Sequence, residues 1–357
     1  MPDPAGLARV MPGRAILDED LAQIAAALAA DWQKARGARI FLTGGTGLIG
    51  RWMLESLAQA NTRHDLGIEV VVLTRDPDRF AAVAPGIAAN PAFRFVAGDV
   101  LSLRWDGTAY SHVIHAATDA SAALNENDPR RMFDTVVTGT RAVLDFAVAA
   151  NVRRVLFMSS GAVYGAQPWD ISHVAEDDRG GPDLTTHRSA YGEGKRAAEV
   201  LCAIYRKQFG IDVVIARIFA LLGPLLSLDI HFAAGNFILD AMAGRTVTVN
   251  GDGRAVRSYV YLADLVTWLW AMLLRAPAGA TYNLGSETAI SIGDLAERTA
   301  RLLRAPGHAI LRGPDHGWNP GRYVPSTARF RSEMNLEPTV ELDQAILRTA
   351  MWNGWNQ

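Results

Sequence analysis

Lysine is almost absent from this chain of 357 residues: among its 35 basic side chains only Lys34, Lys195 and Lys207 are lysines, and the others are arginines. Cysteine is scarcer still. Cys202 stands alone, which excludes an internal disulfide and a cysteine-rich metal site. An excess of charge of one sign is missing too, with a formal net charge of −2, so there is no electrostatic footprint for nucleic acid. The most apolar run, YVYLADLVTWLWAMLL, is 16 residues long and carries Asp264, too short to span a bilayer. The opening Met-Pro-Asp-Pro lacks the basic and apolar regions of a secretory signal, and no HExxH run or His/Asp cluster suggests a metal. These absences lead to the expectation of a cytoplasmic protein with no membrane, metal or nucleic-acid partner.

What is present has a strong rhythm. Residues 19–35 repeat apolar side chains at helical spacing and predict a helical extension, residues 1–37, before the first strand. RIFLTG, IEVVVLTR, FRFVAGDV, SHVIHAA, VRRVLFMSS and IDVVIARIFAL then read as short buried strands, with amphipathic helices between them. That alternation predicts an α/β fold, a doubly wound parallel Rossmann sheet covered on both faces. The dinucleotide-binding domain is expected over 38–223, rejoined by about 255–285, with 224–357 mostly a smaller C-terminal substrate-binding lobe. No internal repeat or low-complexity linker interrupts it.

The first strand runs into FLTGGTGLIGRW, which places Gly44, Gly47 and Gly50 at three-residue spacing ahead of a helix. The first glycine permits a tight turn, the second lets backbone N–H groups approach a pyrophosphate, and the third lets the helix pack close. At the end of the second strand, VVVLTRDPDR has Thr74 where a ribose-binding carboxylate is expected, and Arg75 follows it. An arginine accommodates a 2′-phosphate, so NADP(H) is favoured over NAD(H). Two other readings stay open: Arg75 as a solvated loop residue, and Asp76 as the partner of a 2′-hydroxyl. Asp99, after the third strand, stands where a carboxylate could meet an adenine amino group.

The rarity of lysine makes SAYGEGKRAAE, residues 189–199, conspicuous, because Lys195 follows Tyr191 by four residues. On a helix the two project from one face. An ammonium near a phenol favours the phenolate and is expected to draw its pKa from about 10 toward neutrality. The tyrosine could then exchange a proton with a substrate hydroxyl or ketone. A compact ammonium can serve both the phenol and ribose hydroxyls, which the rigid fork of arginine does less well. The bland reading is an exposed surface pair. Against it, FMSSGAVYG sets Ser160 at a strand end, at the carboxyl edge where ligands bind in open α/β sheets.

Glycine loop, Ser160 and the Tyr191-x-x-x-Lys195 pair, in that order, resemble the extended short-chain dehydrogenase/reductase family over roughly residues 38–345. VIHAAT, TVVTGT, RIFALLGP, GDGRAVRSYVYLADL and GRYVPSTAR add to the likeness. Within the family the chain is similar to the enzymes of nucleotide-diphosphate sugars: 4-epimerases, 4,6-dehydratases, decarboxylases and 4-ketoreductases. The resemblance implies that C4 of the sugar exchanges hydride with the nicotinamide while Tyr191 handles the O4 proton, helped by Ser160 and Lys195. It places the coenzyme against Gly44, Thr46, Gly47, Leu48, Ile49, Gly50, Thr74, Arg75, Asp99, Val100, Ala116, Ala117, Thr118, Tyr191 and Lys195. Substrate contacts fall to Ser160, Asn236, Arg257, Arg322 and Tyr323, with Arg257 clamping the diphosphate or, structurally, pairing with Asp264. A homodimer through paired helices is a further expectation by resemblance. His115 and the Trp268/Trp270 pair read as structural.

Departures from the pattern select among these chemistries. Similar 4,6-dehydratases carry Asp-Glu inside the serine motif, because eliminating water needs an extra acid and base. Here those places hold Gly161 and Ala162. Ala220 and Val136 stand where the family has asparagines, which bears on substrate placement and not on hydride chemistry. The expected activity is therefore NADP(H)-dependent reduction of a 4-keto-6-deoxy nucleotide sugar. The alternative is a 4-epimerase with retained coenzyme; a dehydratase, a decarboxylase or a non-catalytic sensor ranks below both.

Overall fold

A computed structural model describes residues 12–118, 122–229, 233–311 and 321–356. Seven strands form the central sheet: β1 (Arg39–Thr43), β2 (Glu69–Thr74), β3 (Phe93–Ala97), β4 (His112–His115), β5 (Arg154–Ser160), β6 (Asp212–Ile218) and β7 (Thr281–Leu284). Every neighbouring pair is parallel, in the order β7-β6-β5-β4-β1-β2-β3. The direction of winding reverses between β1 and β4, which opens a crevice at their carboxyl ends.

Near-continuous apolar runs suit strands buried on both faces, and alternate residues feed two cores. Ile40, Leu42, Val70 and Val72 join one, while Phe41, Val71, Val113 and Val155 join the other. The longer helices, in chain order, are α1 (Pro12–Ala27), α2 (Leu48–His64), α3 (Pro129–Ala149), α4 (Ala190–Phe209), α5 (Ala233–Met242), α6 (Leu262–Arg275), α7 (Ile292–Leu302) and α8 (Leu342–Trp352). The second core is covered by α3 and α4, through Val136, Val143, Leu144, Ala198 and Leu201. The first is covered by α2 and α6, with α1 packed across both and against α8. Trp268 and Trp270 of α6 are core residues, as the sequence suggests: the Trp270 indole donates to Ser56 Oγ at 2.9 Å, and its ring centroid lies 5.0 Å from that of Trp32.

Beyond the sheet, short strand pairs carry the substrate-side residues back toward β5. Val256–Arg257 pairs with Ile290–Ser291 and also, in parallel, with Arg322–Tyr323. That register sets Tyr323 opposite Arg257, and both approach the end of β5.

Candidate active site

The glycine loop is shaped by collisions that side chains would cause. Gly44 has φ +74°, and a Cβ there would fall 2.5 Å from the Ala116 carbonyl carbon. A Cβ at Gly50 would strike the Gly44 carbonyl oxygen, so the third glycine lets α2 close on β1. Gly47 differs. It caps α2 in an extended conformation, φ −80° and ψ 176°, and a Cβ would meet only Gly44 O at 3.4 Å. Packing makes no demand for glycine there, and the bare backbone leaves room for something outside the chain.

That room opens into a cavity of about 660 Å³. Gly44, Thr46, Gly47, Thr74, Arg75, Asp99, Val100, Ala116, Ala117 and Thr118 all line it, whereas Leu48, Ile49 and Gly50 form the first turn of α2 at its edge. Thr118 Oγ1 is buried without a partner, a donor left for a guest. These features fit a dinucleotide, with its pyrophosphate at the α2 N-terminus. Asp76 is engaged elsewhere, accepting from Arg79 N at 2.9 Å as the cap of a short helix. Asp99 likewise accepts from Leu101 N at 2.8 Å. Arg79 and Arg131 also line this end of the cavity. Arg79 follows Arg75 by one helical turn and was findable in the sequence; Arg131 comes from α3 and is brought in only by the fold.

Ser160, which closes β5 outside the lining of that cavity, accepts from Ala162 N at 3.1 Å. Tyr191 and Lys195 lie on one face of α4, and Lys195 is 3% exposed, which removes the surface-pair reading. Ser160 is a hydrogen-bond partner of the Tyr191 phenol and also of the Tyr323 phenol. The three predicted catalytic residues are thus brought together, and Tyr323 joins them.

Two expectations about this corner are corrected. Burial pushes the Tyr191 phenol up, not down, and the Ser160 hydrogen bond opposes that only in part. The Lys195 ammonium is turned along the strand: its Nζ donates to the Met158 carbonyl at 2.7 Å and sits 6.0 Å from the Tyr191 ring centroid. The amine itself is pulled down to about 7 by burial, against the opposing charge of Glu199 and a smaller effect of Cys202. Desolvation outweighs the short-range field that spacing alone suggests.

The space beside Gly161 is occupied. A Cβ there would come within 2.6 Å of both Phe219 Cζ and the Tyr323 hydroxyl oxygen, and the two ring centroids lie 4.5 Å apart with the planes tilted by 34°. His115 is structural: Nδ1 meets Thr43 Oγ1 at 2.8 Å, Nε2 meets Thr140 Oγ1 at 3.1 Å, and burial drives its pKa down to about 3. Arg257 Nη1 donates to the Val256 and Gly321 carbonyls at 2.9 and 3.3 Å. Its suggested salt-bridge partner, Asp264, instead accepts from Thr339 and Val340. Arg322 lies over the Trp169 ring at 4.8 Å, with a buried Nε that has no partner. Asn236 is exposed on α5, and among the described residues nothing joins it to this group.

Comparison with known proteins agrees with this fold. The family model described as NAD dependent epimerase/dehydratase family matches residues 40–285. UDP-glucuronic acid decarboxylase 1 of Arabidopsis thaliana is 29% identical over 314 residues, covering 87% of this chain and 68% of that protein. A crystal structure of dTDP-glucose 4,6-dehydratase from Streptomyces venezuelae, with NAD bound, is 27% identical with a TM-score of 0.74, covering 88% of this chain and 96% of the other. UDP-glucose 4-epimerase of Thermotoga maritima shares the fold at 20% identity and a TM-score of 0.75, covering 88% and 98%.

Proposed function

The chain belongs to the NAD dependent epimerase/dehydratase family, and from that premise we propose that it is an NADP(H)-dependent reductase acting at C4 of a nucleotide-diphosphate 4-keto-6-deoxysugar. Curated relatives named for UDP- and dTDP-sugars support the substrate class. The observation that carries the reaction is the filled space at Gly161. Elimination of water needs a second acid and base beside the sugar, and here Gly161 and Ala162 supply neither, while Phe219 and Tyr323 occupy the room. Reduction needs no such pair.

When bound, the coenzyme supplies the hydride. The chain's own residues do the rest. Tyr191 gives its phenolic proton to the O4 oxygen as that oxygen gains charge, and its raised pKa keeps it protonated and ready to donate. Ser160 shares the same oxygen and fixes its direction. Lys195 supports the ribose and the phenol from its buried seat. Arg257, with Tyr323 beside it, faces the diphosphate as a bidentate donor. Arg75, Arg79 and Arg131 gather at the adenosine end of the cavity, where a 2′-phosphate would lie. Exposed Phe133 on α3, with Val200 and Ile204 on α4, supports a homodimer through those helices, checked by sedimentation equilibrium.

A panel of nucleotide 4-keto sugars, followed by loss of reduced-nicotinamide absorbance, tests the proposal. One NADPH consumed per product supports reduction. Interconversion of 4-hydroxy epimers with no net coenzyme use would establish the 4-epimerase, which the same Ser160, Tyr191 and Lys195 arrangement favours equally and which a UDP-galactose 4-epimerase structure resembles at 25% identity and a TM-score of 0.70.

A further inference from the structure

Behind the Tyr191–Lys195 pair lies a buried charge cluster that proton transfer does not itself use. Glu199 follows Lys195 by four residues on α4, so the two share a face. Its carboxylate accepts from Ser159 Oγ at 2.5 Å, and it meets Arg217 of β6 at 2.7 Å through Nη2 and at 3.1 and 3.2 Å through Nε. Arg217 donates onward to the Tyr164 hydroxyl at 2.6 Å and to the Glu176 carbonyl at 3.0 Å. Tyr164 in turn donates to Asn283 Oδ1 at 2.8 Å. The Glu199 and Arg217 side chains are only 13% and 15% exposed.

Burying three charges is costly, and an ion pair this deep is weak evidence for stability on its own. The placement needs another reason, and the Lys195 amine provides one. Around that amine stand Tyr191 and Cys202 from α4, His115 from β4 and the Met158 carbonyl from β5. Burial holds the Cys202 thiol and the His115 imidazole neutral. Glu199 is then the carboxylate that balances the amine, and Arg217 and Ser159 fix where it points.

We infer that Glu199 is a positioning residue that, clamped by Arg217 and Ser159, keeps the Lys195 amine charged and aimed along β5 without touching substrate or coenzyme. This rests on the proton-transfer reading of Tyr191 and Lys195. Its test does not need turnover, because the chain has three lysines and lysine-selective ¹⁵N/¹³C labelling yields three side-chain signals. Lys34 and Lys207 serve as internal references, and the Lys195→Met spectrum assigns the third. Glu199→Gln should lower the Lys195 titration midpoint by about one pH unit, with the references unmoved, as expected when an opposite charge is removed from a buried site. Glu199→Asp, which keeps the charge but draws it back by one methylene, should recover about half of that shift. An unchanged midpoint in the folded Gln variant overturns the inference. Should that variant not fold, the Asp variant decides: a fall of about half a unit supports the inference, and none overturns it. Loss of turnover in Tyr191→Phe is read separately, so the proton-transfer reading can fail while the Glu199–Lys195 coupling stands, and the reverse.

Discussion

The two ends of the cleft are built in opposite ways. At the catalytic corner, Ser160 and Lys195 are buried, Tyr191 and Tyr323 bring their phenols to Ser160, and Glu199 and Arg217 lock the helix face behind them. At the open end, Arg75, Arg79 and Arg131 are exposed, and the nearby carboxylates Asp76 and Asp99 cap local turns. Buried polar groups interact in a low dielectric and hold fixed positions, so one end can direct a proton. Exposed guanidiniums are screened by salt, so the other end should select by charge more than by geometry. Substitutions at the buried end should therefore change rate and stability together, and substitutions at the open end should change preference alone.

The largest effect tests the buried end. Tyr191→Phe keeps the ring and removes the donor, and turnover should fall about a thousandfold, a barrier increase of about 4 kcal/mol, with coenzyme affinity unchanged. Single-turnover kinetics with a 4-keto nucleotide sugar measure the first, and fluorescence titration with NADPH the second. A phenol that contributes only packing would leave the rate intact.

Lys195→Met is next, and it separates function from stability. The amine's pKa falls on folding to about 7. Between about pH 7 and 10 the unfolded chain then binds the extra proton, so unfolding free energy rises with pH across that window. Methionine has no proton to lose and should flatten the rise. At pH 7 the variant should be at least as stable as wild type, because a desolvated amine gives way to an apolar side chain while Glu199 keeps Arg217 as its partner, and turnover is lost. Urea denaturation at several pH values checks both signs. A less stable variant at pH 7 would mean that the corner is held together by its charges.

Much of this was legible in the chain, because the signals were local. Strand ends, the glycine spacing and the lysine at i+4 are read directly from neighbouring residues, and the cavity lining from Gly44 to Thr118 follows from them. What the sequence hid was long-range. Tyr323 reaches Ser160 from 163 positions away through a two-residue strand. Glu199 finds Arg217 only because α4 packs on β5 and β6. The phenol's pKa was misjudged for the same reason: spacing reports the nearest charge but not how much water the fold removes. Asn236 shows the converse, a residue assigned to the substrate by resemblance that the fold leaves exposed.

Gly161→Ala probes how full the corner is. The added methyl would meet Phe219 and the Tyr323 hydroxyl at 2.6 Å, and overpacking of this kind costs about 1–3 kcal/mol. Thermal unfolding should show the loss, and pairing the substitution with Phe219→Leu should return part of it. An unchanged melting temperature would mean the two rings yield readily. The corner could then admit a carboxylate, and the argument against water elimination would lose its physical basis.

The smallest effect belongs to the open end, where Arg75→Ala should reduce NADPH affinity about tenfold, about 1.4 kcal/mol, and leave NADH affinity within about twofold. The estimate is held low because Arg79 and Arg131 line the same cavity and keep part of the positive field after Arg75 is gone. Salt sharpens the test. A screened, exposed guanidinium loses influence as ionic strength rises, so wild-type preference for NADPH should shrink between low and high salt, and the variant should respond less. Equal affinities of the wild type for the two coenzymes at low salt would remove the arginines from selectivity altogether. Asp76 and Asp99 would then have to leave their turns to meet a ribose hydroxyl and the adenine, and the contrast between a fixed end and a screened end would no longer describe how this cleft chooses its coenzyme.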